Sequence, residues 1–208
     1  MIKALVFDMG GVILNLDGER CIKAFKERIG FNDIEDYLDL YHQKGYFSDL
    51  EEGRMGPEEF FAESRRHSRP GTTDEEIRFC FDELLVDISP SAVELLRSCR
   101  GKYRLFVLSN NNPISRARFS RLLEEAGIPM EETFERTFFS YEMHLLKPGQ
   151  EIYRKVIDEI GVRADEILFI DDAVSNIKGA ASTGMRTLLF QPGHNVKEEV
   201  ERCLVDLE

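Results

Sequence analysis

The chain has 208 residues, with 27 basic against 39 acidic side chains and a formal net charge of −12. Apolar residues make up 42% and charged residues 32%, the balance of a globular chain rather than a disordered or fibrous one. No apolar stretch approaches the ~18–20 residues of a membrane span, and the acidic excess argues against a nucleic-acid partner, which calls for a basic face. The first apolar run meets Asp8 too early for a signal-peptide core, so a cytoplasmic location is expected. Cys21, Cys80, Cys99 and Cys203 show no paired spacing and are expected as reduced thiols packed as small hydrophobes.

Residues 2–7 form a nearly continuous apolar run that ends in Asp8 and Gly10-Gly11, the pattern of a strand buried on both faces. Similar runs stand at 103–108, around 137–139, at 167–170 and at 186–190. Helical patterns lie between them. Phe119, Leu122, Leu123 and Ala126 share a face and stop at Gly127; Ile152, Val156 and Ile160 stop at Gly161; Val174, Ile177 and Ala181 precede Gly184. Alternating strands and helices predict a doubly wound α/β fold with a Rossmann-like parallel sheet. Residues 15–87 break the rhythm with helical spacings only: Ile22, Phe25 and Ile29, then Phe60 and Phe61 after Pro57, then Ile77, Cys80, Phe81, Leu84 and Leu85. Ser89-Pro90 marks the return as an N-cap followed by proline. The expected plan is a core of residues 1–14 and 88–208 with an inserted helical cap of residues 15–87.

Ligands of open parallel sheets bind outside the carboxyl ends of the strands. The residues just past the predicted strands are Asp8, Ser109-Asn110 and Asp171-Asp172, with Lys147-Pro148 ahead of the helix that starts near Gln150. Singly, each has an ordinary reading as a turn former, a helix cap or a surface charge. Together on one rim they suit phosphoryl transfer through an aspartate. Asp8 would attack phosphorus and form an aspartyl-phosphate. An anion attacking an anion needs neutralisation, so Mg²⁺ is expected, held by Asp8, Asp171 and Asp172 with the Gly10 carbonyl as a further ligand. Lys147 would hold Asp8 and the transferring oxygens, and the Ser109 hydroxyl and Asn110 amide would donate to the phosphate.

These residues resemble the haloacid dehalogenase-like hydrolases. Phe7-Asp8-Met9-Gly10-Gly11-Val12 looks like their first motif and Leu108-Ser109-Asn110 their second. Lys147-Pro148 looks like the third, and Phe169-Ile170-Asp171-Asp172 with Asn176 the fourth. The match runs from residue 2 to about 190. The resemblance implies a Rossmann-like core, a helical cap inserted after the first motif, an aspartate nucleophile and Mg²⁺, with Asn176 in support. The Asp-x-Gly-Gly-Val start and the Asp-Asp-x-x-x-Asn stretch look most like a bacterial branch that includes α-glucose-1-phosphate phosphatases.

One position departs from the pattern. Most phosphatases of the family carry a second aspartate two residues after the nucleophile, as acid for the leaving alkoxide and base for the attacking water; here it is Gly10. A missing acid costs about 10²–10⁴-fold in rate. Three readings stay open: a substrate with an easy leaving group, such as an anomeric sugar hydroxyl; a replacement acid, for which Asp17 is the candidate; or a phosphate-binding or regulatory protein with little turnover. The 2-haloacid dehalogenases also lack that aspartate and need no metal, but the tandem Asp171-Asp172 makes sense only around a cation. The favoured expectation is a Mg²⁺-dependent phosphatase of a small phosphorylated metabolite, a sugar 1-phosphate in particular. Tyr41, His42, Lys44, Tyr46 and Phe47 form a cap patch suited either to a sugar or to cap packing. Phe25, Phe60, Phe61, Phe79 and Phe81 are expected in the cap core.

Overall fold

The structure is a computed structural model that describes residues 1–39 and 43–207. Its strands are β1 (Ala4–Phe7), β2 (Leu14–Leu16), β3 (Leu85–Ile88), β4 (Arg104–Ser109), β5 (Arg136–Phe139), β6 (Ile167–Asp171) and β7 (Arg186–Leu189). The helices are α1 (Gly18–Ile29), α2 (Tyr46–Glu51), α3 (Pro57–His67), α4 (Asp74–Asp82), α5 (Pro90–Cys99), α6 (Pro113–Glu125), α7 (Met130–Thr133), α8 (Ser140–Met143), α9 (Gln150–Ile160), α10 (Val174–Ala181) and α11 (Val196–Asp206). Five strands form a parallel sheet in the order β5-β4-β1-β6-β7.

The apolar runs are continuous because both sheet faces are covered, and the two-residue period sorts their side chains. Leu5 and Phe7 of β1 join Leu105, Val107, Leu168 and Ile170 on one face, under α5, α6 and α11. Ala4 and Val6 join Phe106, Leu108, Ile167 and Phe169 on the other, where Ile152, Tyr153 and Val156 of α9 and Ala180 of α10 cover them. The chain first winds outward through β4 and β5, then crosses back to β6 and β7. The order therefore reverses between β1 and β6, which opens a crevice at their carboxyl ends.

Helices α1 to α4 have an apolar core of their own. Phe25, Phe31, Phe47, Phe60 and Phe81 meet there, mostly edge to face, as Phe47 and Phe60 do at 4.9 Å between ring centroids. Two details differ from the sequence reading. First, the helical unit is joined to the sheet by an antiparallel ribbon of β2 and β3, with Leu14 opposite Ile88 and Leu16 opposite Leu85. Strands of three and four residues are too short to show a period, so residues 15–16 and 85–87 carried no strand signal. Second, Phe79 is exposed, and the Arg28 guanidinium lies 4.2 Å over its ring. The four cysteines are free, with Cys21, Cys80 and Cys99 buried. Ser89 does precede α5, but its hydroxyl pairs with Ser91 rather than with the helix end.

Candidate active site

The crevice at the carboxyl ends of β1, β4 and β6 opens into a cavity of about 400 Å³. Asp8, one residue past β1, and Asp171, the last residue of β6, face each other across Lys147. The Lys147 ammonium donates to Asp171 Oδ2 at 2.7 Å and lies 2.9 Å from Asp8 Oδ1. Lys147 is 3% exposed and Asp171 fully buried. A buried charge needs such partners, since stripping it of water without them is costly. The carboxylates of Asp8, Asp171 and Asp172 present oxygens within 4.8 Å of one another.

Each side chain is held by its neighbours. Asn176 donates to both oxygens of Asp171 at 3.0 and 3.1 Å, and the Ala173 N–H donates to Oδ1 at 2.8 Å. Tyr153 in turn donates to the Asn176 carbonyl at 3.0 Å. Asp8 Oδ1 accepts from the Met9 N–H at 2.7 Å. Gly11 lies beside Asp172 at φ 73°, and a Cβ there would collide with the Asp172 carboxylate. Only glycine meets both the left-handed backbone and that close approach.

Electrostatics follow from burial and crowding. Burial foremost, with Asp171 and Asp172 adding repulsion against the pull of Lys147, lifts Asp8 up to about 7. Burial and the Asp171 charge lift Asp172 up to about 6. Burial alone would lower Lys147, but Asp171 and Asp8 outweigh it and hold the ammonium above its ordinary value. Three carboxylates around one ammonium leave an excess of negative charge. An all-oxygen donor set of that sign fits a hard divalent cation such as Mg²⁺.

Of the residues expected at the site, Asp8, Gly10, Ser109, Asn110, Lys147, Asp172 and Asn176 line the cavity. Asp171 sits just beneath, against Lys147. Asn110 also pairs by its amide with the Lys147 main chain, donating to the carbonyl at 3.0 Å and accepting from the N–H at 2.9 Å. That pairing ties the Lys147 main chain to the end of β4. Asp17 does not join the site. It caps α1, accepting from the Arg20 N–H at 2.9 Å, and does not line the cavity. Of the cap patch, Tyr46 and Phe47 are packed in the cap core and Lys44 is exposed, while Tyr41 and His42 lie outside the described residues. The sequence reading missed Glu51. This side chain, at the end of α2, lines the cavity; burial lifts it up to about 8, with Lys147 drawing it down and Asp8 pushing it up. Its local sequence, Asp-Leu-Glu-Glu-Gly, reads as a solvated charge run, and nothing in it signals a cavity.

The model of the haloacid dehalogenase-like hydrolase family matches the chain over residues 2–184. The chain belongs to this family. The family's members are hydrolases, and so is this enzyme. D-ribitol-5-phosphate phosphatase of Bacteroides thetaiotaomicron is 30% identical over 201 residues, spanning 96% of this chain and 97% of that protein. The crystal structure of a haloacid dehalogenase family enzyme of the same organism, in complex with magnesium and inorganic phosphate, superposes with a TM-score of 0.87. It is 36% identical, with 93% of this chain and 96% of that one covered. The L-2-haloacid dehalogenase of Xanthobacter autotrophicus shares the fold, at a TM-score of 0.62 and 20% identity over 99% of this chain and 83% of that one. The match to the family includes the Rossmann-like parallel sheet described above.

Proposed function

We propose that this hydrolase is a Mg²⁺-dependent phosphatase of small phosphorylated sugars or polyols, working through a phosphoryl group on Asp8. The observation that carries this reading is the buried Lys147 ammonium held between Asp8 and Asp171 at the sheet's switch point, beside Asp172 and Ser109. Similarity over nearly full length to a ribitol-5-phosphate phosphatase, and to an enzyme crystallised with magnesium and phosphate, supports it. A cavity of about 400 Å³ is of the size that holds a small metabolite.

In this reading Asp8 Oδ1 is engaged by Met9 and Lys147, so Oδ2 attacks phosphorus. Lys147 stabilises negative charge on the transferring oxygens, and the Ser109 hydroxyl donates to one of them. Asp8, Asp172 and the Gly10 carbonyl would hold Mg²⁺, with Asp171 close enough to add its charge. When bound, the ion supplies charge neutralisation between the Asp8 carboxylate and the phosphate. The helical unit covers the cavity through Gln43, Glu51 and Phe81 and contributes the surface that meets the leaving group.

The test is phosphate release from a panel of sugar and polyol phosphates, in Mg²⁺ and in chelator, with Asp8→Asn alongside. Release that needs Mg²⁺ and disappears in Asp8→Asn is the expected result. A sugar 1-phosphate outrunning the primary esters would favour an anomeric leaving group as the answer to Gly10. Tight phosphate binding without release from any ester would favour the binding-protein reading, and halide release in chelator a dehalogenase.

A further inference from the structure

We propose that Glu51 is the proton donor and acceptor of this site, standing in from the helical cap for the acid that Gly10 lacks. The assignment rests on the phosphatase reading above and adds a residue to it. Gly10 leaves no carboxyl two residues beyond Asp8, and Asp17 is turned to the α1 N–H groups. Among the described residues that line the cavity, the titratable side chains are Asp8, Glu51, Lys147 and Asp172. Asp8 is the nucleophile, Lys147 is locked between two carboxylates, and Asp172 belongs to the oxygen cluster. Glu51 is the group left to exchange a proton with a leaving oxygen.

Its placement is built rather than incidental. The Glu51 carbonyl accepts from the Ser140 hydroxyl at 2.6 Å, and Ser140, fully buried on the sheet side, accepts from the Asn111 N–H at 2.9 Å. His144 Nδ1 lies 3.1 Å from the next carbonyl, that of Glu52. Gly53 follows at φ 69°, where a Cβ would collide with the Tyr141 carbonyl. The end of α2 is thus bolted to the catalytic core, which fixes the origin of the Glu51 side chain relative to Asp8. A proton-transfer group needs such fixed positioning, and burial favours the neutral form that a donor starts from.

The two half-reactions then balance. As Asp8 Oδ2 forms its bond to phosphorus, the bond from phosphorus to the leaving oxygen breaks, and that oxygen takes the Glu51 proton to depart as an alcohol. A water then bonds to phosphorus and gives a proton to the Glu51 carboxylate. The Asp8–phosphorus bond breaks, releasing inorganic phosphate and restoring both carboxyl groups.

The experiment compares wild type with Glu51→Gln on ribitol 5-phosphate, whose alkoxide needs a proton, and on 4-nitrophenyl phosphate, whose phenolate does not. Turnover of the alkyl ester should fall roughly 10²–10⁴-fold. The aryl ester should still give a rapid burst of nitrophenolate, followed by slow release as water attack stalls. A second variant guards against misfolding: Gly10→Asp in the Glu51→Gln background restores a carboxyl at the position the family uses. The Cβ it adds meets only the tip of Leu16, at 2.9 Å, a side chain free to turn. If Glu51→Gln loses the burst too, recovery of turnover in the double variant supports the assignment and no recovery overturns it. Alkyl-ester turnover within about threefold of wild type in Glu51→Gln also overturns it. A wild type inert toward both esters defeats the phosphatase reading itself, and the Glu51 assignment falls with it.

Discussion

At the scale of single residues, the site is a set of charges each fixed by a neutral neighbour. Asn176 and Ala173 hold Asp171, Met9 holds Asp8, and Asn110 grips Lys147 by both main-chain groups. We expect Asn110 to act as a positioning residue, so that its removal separates placement from charge. In Asn110→Ala the Lys147 N–H and carbonyl lose their partners, at about 1–3 kcal/mol in all. The ammonium remains but is no longer held in line with Asp8. We expect kcat to fall about 10²-fold with a smaller change in KM, since misplacement of about an ångström costs that much. Steady-state kinetics with a thermal melt checks this: an unchanged kcat in a stably folded variant would remove Asn110 from the positioning network.

At the scale of elements, Asp17 gives a clean contrast between sequence and structure. Its position nine residues after Asp8 fitted either a replacement acid or a helix cap, and the bond to the Arg20 N–H decides for the cap. Asp17→Ala should lower unfolding stability by about 1 kcal/mol and leave kcat within about twofold of wild type. Denaturant melts and turnover on the same preparations test both halves, and a large kcat loss would return Asp17 to the mechanism. The sheet strands were legible because burial on both faces leaves unbroken apolar runs, and the rim residues because they follow those runs directly. The β2/β3 ribbon was not legible, since Leu14-Asn15-Leu16 is too short to show alternation. Phe79 misled because an aromatic covered by Arg28 at the surface has the same letter as one in a core. Glu51 was hidden for a third reason: it reaches the cavity through the Ser140 contact, between segments 89 residues apart in sequence.

At the scale of the whole molecule, the fold concentrates negative charge in one crevice of an already acidic chain, and stability should register it. Asp8 is lifted from 3.8 to about 7, Asp172 from 3.8 to about 6 and Glu51 from 4.5 to about 8. Over that window the folded protein binds more protons than the unfolded chain, so without metal its stability falls as pH rises. The opposite cases, Glu83 held low by Arg20 and Glu135 by Arg104, act only below the ordinary carboxylate range and do not offset this slope. Mg²⁺ competes with those protons, so its stabilisation should grow as pH rises. At a hundredfold excess over its dissociation constant the ion adds about 2.7 kcal/mol, a shift in Tm of roughly 5–11 °C for a chain of this length. Thermal melts from about pH 5 to about pH 8, in chelator and in Mg²⁺, should therefore give two curves that diverge toward high pH. In Asp8→Asn the chelator curve should flatten, because the most crowded carboxylate no longer has a proton to lose. A chelator curve that rises across this range would contradict the charge arrangement itself, and parallel curves would place the cation away from these carboxylates.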